Sequence, residues 1–93
     1  SAVSFESVNR PGNYLRHSGY VARLAANDNT STFRADATFY RTAGLADSSW
    51  SSFRSYNFPD RYLRHSNYVL RIDPLSAGSP EADRQSATFR VTS

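Results

Sequence analysis

His17 and His65 are the two histidines of this chain, 48 positions apart inside near-copies of one motif, "YLRHS" from Tyr14 and again from Tyr62. A neutral imidazole carries one donor and one acceptor. At the end of a strand such a ring can grip hydroxyl groups of a ligand, or it can tether a neighbouring loop. Catalysis fits the remaining residues poorly. Serines are many, but none sits in a nucleophile-elbow sequence. A pair of carboxylates for glycoside cleavage is hard to nominate, because Glu6 is replaced by Arg54 in the second copy and Glu81 lies in a variable loop. There is no cysteine, and two histidines so far apart lack a compact zinc spacing, so no metal site, cofactor or thiol chemistry is expected.

The elements that must position these residues are duplicated. Sliding the chain by 48 positions superposes Ser4, Phe5, Ser7, Asn9, Pro11, Tyr14, Leu15, Arg16, His17, Ser18, Tyr20, Val21 and Arg23 on identical residues, and "ATFYRT" from Ala37 realigns with "ATFRVT" from Ala87 after a two-residue insertion. A whole supersecondary unit is therefore repeated. Each copy holds four short runs rich in β-branched and aromatic residues: "VSFES", "YLRHS", "VARLA" and "ATFYRT", then "SSFRS", "YLRHS", "VLRID" and "ATFRVT". The links "NRPGN" and "NFPDR" carry turn formers, so strands one and two of each copy form a hairpin. Gly19 and Asn67 occupy equivalent places between strands two and three, which predicts positive φ in a tight second hairpin. "AANDNTSTFRAD" and "DPLSAGSPEADRQS" read as polar surface loops, and no stretch keeps a helical apolar period for three turns. Alternation puts Phe5, Leu15, Leu24, Phe39, Phe53, Leu63, Leu70, Ile72 and Phe89 in the core. The fold class is all-β, in one domain over 1–93 made of repeats 1–47 and 48–93.

Bulk properties narrow the partners. At 93 residues with 14% aromatics the chain is one small folding domain. All eleven basic residues are arginine and the net charge is +3, but carboxylates lie between them, so neither a phosphate track nor a nucleic-acid partner is expected. No apolar run approaches a membrane span, and the start "SAVSFES" is strand-like, so no membrane partner is expected either. Trp50, alone in the link "GLADSSWSSF", reads as a packing residue in preference to a stacking platform. Asn9 and Asn57, each before a proline, read as bonding turn backbone.

Ser-x-Asn-x-Pro-x-x-Tyr-Leu-Arg-His, present from Ser7 and from Ser55, together with Asp36-Ala37-Thr38-Phe39, resembles the arabinose-binding domain of fungal and bacterial α-L-arabinofuranosidases, carbohydrate-binding module family 42. The resemblance covers nearly the whole chain. It implies a β-trefoil of three four-strand units and a non-catalytic, secreted module that binds L-arabinofuranosyl side chains of plant cell-wall arabinoxylan or arabinan. It also implies that His17 and Asp36 contribute to a sugar pocket, with Tyr20 as an apolar wall. In the second copy Asp36 aligns with Ser86, which leaves His65, Tyr68 and the displaced Asp83 as a weaker pocket. Three copies would need about 144 residues at this spacing, and two are present. The trefoil is therefore expected to be completed by association with other chains, unless the chain is a fragment or its two units close on each other. The alternatives are a lectin-like trefoil for another glycan, and a structural or protein-interaction trefoil.

Overall fold

The computed structural model describes residues 1–92. Seven strands and two short helices follow in the order β1 (Ala2–Val3), β2 (Asn13–Ser18), β3 (Val21–Ala26), α1 (Ser31–Ala37), β4 (Phe39–Ala43), β5 (Ser51–Ser55), β6 (Arg61–Ser66), β7 (Val69–Pro74) and α2 (Glu81–Ser86). The strands form one antiparallel sheet in the order β1-β4-β5-β6-β7-β3-β2. The fold is all-β, as the alternating runs predict.

The expected hairpins are present in both copies. In the first, strand one bends: Ala2 and Val3 pair with β4, whereas the following residues turn to β2 through the Glu6–Tyr14 bridge and the bond from Leu15 N to Phe5 O at 2.9 Å. In the second, β5 pairs with β4 and meets β6 at Arg54 and Tyr62. The second hairpins are two-residue turns. Gly19 (φ 57°) and Tyr20 (φ 66°) join β2 to β3, and Asn67 (φ 52°) and Tyr68 (φ 64°) join β6 to β7. Positive φ at both central residues matches the right-handed twist of the flanking strands, which is why Gly and Asn recur there. It also places Tyr20 and Tyr68 in turns, outside the strands proper.

Two expectations about elements need correction. The polar links contain helices: Thr30 caps α1 by accepting the Phe33 N–H at 3.1 Å, and Phe33 and Ala37, four apart, bury one face. α2 starts after Pro80, with Glu81 and Asp83 in its first turn. A helix of six or seven residues spans under two turns, too few for apolar periodicity to register. Because α1 takes Ala37, β4 starts at Phe39. The "ATFRVT" strand of the second copy is reduced to the Ser51–Phe89 bridge.

Phe39, Phe53, Leu63, Ile72 and Ala22 form the buried core, with Val3, Phe5, Leu15, Phe58, Leu70 and Phe89 packed against it. Phe5 meets Phe53 edge to face, with centroids 5.0 Å apart. Leu24 is 52% exposed, contrary to expectation, although its repeat equivalent Ile72 is fully buried. β7 lies inside the sheet between β6 and β3, whereas the β2–β3 hairpin ends the sheet and has no strand beyond it. Apolar side chains also border a cavity of about 290 Å³ formed by Phe5, Phe53, Leu63 and Phe89 with Arg90, Val91 and Thr92.

Candidate functional site

The seam between the two repeats gathers the first copy's candidates. β2 carries Arg16 and His17, α1 brings Asp36 over them, and the turn after β5 supplies Asn57 from the second copy. His17 Nε2 lies 2.8 Å from Asn57 Oδ1, and Asn57 Nδ2 donates to Asp36 Oδ1 at 2.9 Å. Arg16 donates to the other carboxylate oxygen, Asp36 Oδ2. Ser55 Oγ also donates to Asn57 Oδ1, at 3.2 Å.

This chain of bonds sets the proton positions. An ionised carboxylate only accepts, so the Asn57 NH2 must face Asp36 and its carbonyl must face His17. His17 Nε2 therefore carries the proton. The ring is 3% exposed, and the Asp36 side chain 13%. A carboxylate has about four lone-pair sites, and Asn57 and Arg16 occupy two of those on Asp36, so acceptor capacity remains for a hydroxyl donor.

An aromatic cluster adjoins the bonds. Phe58 lies between His17 (5.4 Å) and Tyr20 (5.3 Å), both edge to face, and the Arg61 guanidinium sits 3.6 Å from the Tyr20 ring centroid. Tyr20 also accepts the Ile72 N–H at its carbonyl, at 2.9 Å. Tyr20 thus belongs to the seam and keeps part of its ring in solvent.

The second copy is assembled differently. Asp83, on α2, takes the Arg64 guanidinium at 3.2 Å, the counterpart of Asp36 with Arg16. Ser86, which aligns with Asp36, is buried and donates to the Asp83 carbonyl at 2.6 Å. His65 is exposed and Tyr68 is fully exposed. His65 pairs across the hairpin with Leu70, at the place where His17 faces Ala22.

Asn57 is the residue the sequence reading missed. Its place before a proline predicts a bond to turn backbone, whereas its amide bridges His17 and Asp36 across 40 and 21 positions. The available signal was its place in the duplicated Ser-x-Asn-x-Pro motif. Glu6, by contrast, accepts the Gly12 N–H at 2.9 Å and holds the first turn. Trp50, read as a packing residue, is 40% exposed and borders a cleft of about 330 Å³ with Ala46, Asp47, Gln85 and Thr88. A third cavity, of about 250 Å³, lies beside α1 between Tyr14, Phe33 and Arg34. His17 and Asp36 line none of these three cavities.

Two carboxyls titrate below the usual carboxylate range. The Thr30 hydroxyl and N–H donate to Asp28, and the Ser49 hydroxyl and N–H donate to Asp47, favouring the charged form of each. Among the described residues, no group of three or more His, Cys, Asp and Glu is placed to hold a metal ion. No helix there is long and apolar enough to cross a membrane.

Comparisons with known proteins bear on the family and the fold. Residues 1–91 match the model of the alpha-L-arabinofuranosidase B (ABFB) domain. The chain is 51% identical over 45 residues to alpha-L-arabinofuranosidase B of Aspergillus oryzae, a match covering 48% of this chain and 9% of that protein. It is 60% identical over 37 residues to the Emericella nidulans enzyme of the same name, covering 40% and 7%. A crystal structure of an arabinofuranosidase complexed with arabinofuranosyl-alpha-1,2-xylobiose superposes with a TM-score of 0.83 at 36% identity, over 96% of this chain and 19% of that one. A GH54 arabinofuranosidase soaked with a cyclic sulfate inhibitor shares the fold, with a TM-score of 0.87 at 24% identity, over 97% and 19%. The chain thus spans under a tenth of these curated relatives and about a fifth of the solved chains, and what it matches is their small ABFB domain. Matched over residues 1–91 and built of duplicated strand units, the chain belongs to the alpha-L-arabinofuranosidase B (ABFB) domain family.

Proposed function

We propose that this domain is a non-catalytic, secreted carbohydrate-binding module, residues 1–93 in two repeats, that holds L-arabinofuranosyl side chains of arabinoxylan or arabinan. The observation that carries the reading is the His17–Asn57–Asp36 chain at the repeat seam, where a fixed, ionised carboxylate retains acceptor sites beside a half-exposed tyrosine. Vicinal hydroxyls of a furanose suit such an acceptor, and the part of the Tyr20 ring that Arg61 and Phe58 leave in solvent suits apolar carbons of the sugar. His17 acts through Asn57, keeping the amide and hence the carboxylate in place. In the second repeat Arg64 and Asp83 reproduce the ion pair without the histidine bond, so His65, Asp83 and Tyr68 form the weaker site.

Completion of the trefoil by further units belongs to the same reading. It is supported by the cavity bordered by Phe5, Phe53, Leu63 and Phe89, and by the open Tyr68 turn, whose counterpart Tyr20 is covered by Phe58.

Calorimetric titration with arabino-oligosaccharides tests the assignment. Saturable binding that falls at least about tenfold in Asp36→Ala and in His17→Ala is expected, a loss equivalent to about 1.4 kcal/mol each. Unchanged affinity in both variants would sink it.

One observation favours a second reading. His17 is buried and its visible partner lies within the protein, as in a purely structural clasp between the repeats. On that reading both variants lose thermal stability and no arabino-oligosaccharide binds the parent protein. A lectin-like module for an anionic glycan would instead bind charged oligosaccharides in a salt-sensitive way.

A further inference from the structure

Away from the seam, the link between the repeats and the end of α2 enclose the cleft of about 330 Å³ that holds Trp50. Hydrogen bonds and close contacts tie its walls together. Trp50 N donates to Asp47 O at 3.0 Å, and Gly44 N donates to Trp50 O at 2.9 Å. Gly44 has no room for a Cβ, which would strike the Asp47 carbonyl oxygen and the Thr88 methyl. Thr88 Oγ1 accepts the Ala46 N–H at 3.0 Å and donates to Arg84 O at 2.8 Å, so it braces the wall and has little left for a ligand.

Other polar groups of the cleft are uncommitted. Ser49 N and Oγ both donate to Asp47 Oδ1, at 2.9 and 2.7 Å, which orients the carboxylate, and Oδ2 has no partner among the described residues. Gln85 Nε2 reaches Glu81 Oε1 at 3.3 Å, and the Gln85 side-chain oxygen Oε1 accepts no bond among the described residues, while its backbone carbonyl takes the Thr88 N–H at 3.1 Å. The Trp50 indole N–H likewise has none among the described residues. Arg90 lies 5.5 Å from the indole centroid, looser than the 3.6 Å of Arg61 on Tyr20, and is itself exposed.

An exposed indole sharing a cleft with the Asp47 carboxylate and the Gln85 amide oxygen suits one kind of ligand. A neutral sugar ring presents C–H groups from its face to an aromatic surface and hydroxyls from its rim to carboxylate and amide oxygens. A cation would meet Arg90, and an anion would meet Asp47. We propose that the Trp50 cleft is a separate sugar-binding subsite that takes a pyranose ring of a glycan main chain. The proposal rests on the carbohydrate-binding reading of the domain and adds a second ligand class to it. Alone the subsite binds weakly, with Kd on the order of 1 mM. Joined to the seam site through one branched polysaccharide, it raises avidity without new contacts.

Trp50 is the chain's sole tryptophan, so its fluorescence reports on this cleft. The parent protein, Asp47→Asn, Gln85→Ala and His17→Ala are titrated with β-1,4-xylotetraose under fluorescence. In parallel, each is titrated with methyl α-L-arabinofuranoside under calorimetry, and circular dichroism checks that each variant folds. Saturable change in Trp50 emission, retained in His17→Ala and weakened at least about fivefold in Asp47→Asn and Gln85→Ala, is expected. Emission unaltered by about 20 mM xylotetraose overturns the subsite, as does a response equal in all variants. If arabinofuranoside heats persist while emission is silent, only the subsite falls. If emission responds while those heats are absent, the seam assignment falls and the subsite stands.

Discussion

Asn57 shows how much one side chain can decide at a seam. Its amide donates to Asp36 and accepts from His17, so truncation would leave a buried imidazole N–H without a partner and free the carboxylate on one side. Leaving a buried polar group unsatisfied costs about 1–3 kcal/mol. Asn57→Ala should therefore lower stability by that amount in urea denaturation, and should weaken arabino-oligosaccharide binding although Asn57 need not touch the sugar. Stability within about 0.5 kcal/mol of the parent would show that the bonds seen here do not hold the seam. His17 stands out in the sequence because the repeat marks it, and Asp36 because it opens the Asp-Ala-Thr-Phe motif that carries the family resemblance. Asn57 carried the same mark, yet its role depends on which repeat faces which.

Among the elements, the two tight turns offer an internal control. Both hold a tyrosine at positive φ, which costs a residue with a Cβ about 1–2 kcal/mol relative to glycine. Tyr20 offsets this by packing against Phe58 and under Arg61, whereas Tyr68 stands in solvent. Tyr68→Gly should then raise the melting temperature by a few degrees once the added backbone entropy of about 0.5–1 kcal/mol is subtracted. Tyr20→Gly should lower it. If Tyr68→Gly also destabilises, Tyr68 is covered in solution by something other than this chain's own first repeat. The turns were readable because Gly and Asn are the residues that tolerate this backbone. The helices were not, since α1 shows itself through the Thr30 cap and a single buried pair.

For the whole molecule the open question is what lies against the cavity edged by Phe5, Phe53, Leu63 and Phe89. Apolar surface of this kind favours burial by roughly 25 cal/mol per Å², so a two-repeat chain should associate through it. Sedimentation velocity at micromolar concentration is expected to show species heavier than 10.4 kDa. A single stable species of that mass would mean that the two repeats suffice, and would remove association from the proposal. The same test bears on Leu24, whose 52% exposure contrasts with buried Ile72 at the equivalent place.

Local chemistry and repetition determined the strand units, the positive-φ turns and most of the core. These depend on alternation and turn preference, which are properties of neighbouring residues, and on the identity of the two copies along the chain. The tertiary structure alone decided that His17 and Asp36 meet through an asparagine of the other repeat, that Asp83 reaches Arg64 without His65, and that Trp50 faces a cleft. Identical motifs acquired different surroundings because one hairpin ends the sheet and the other lies within it, and only three-dimensional packing distinguishes an end from an interior.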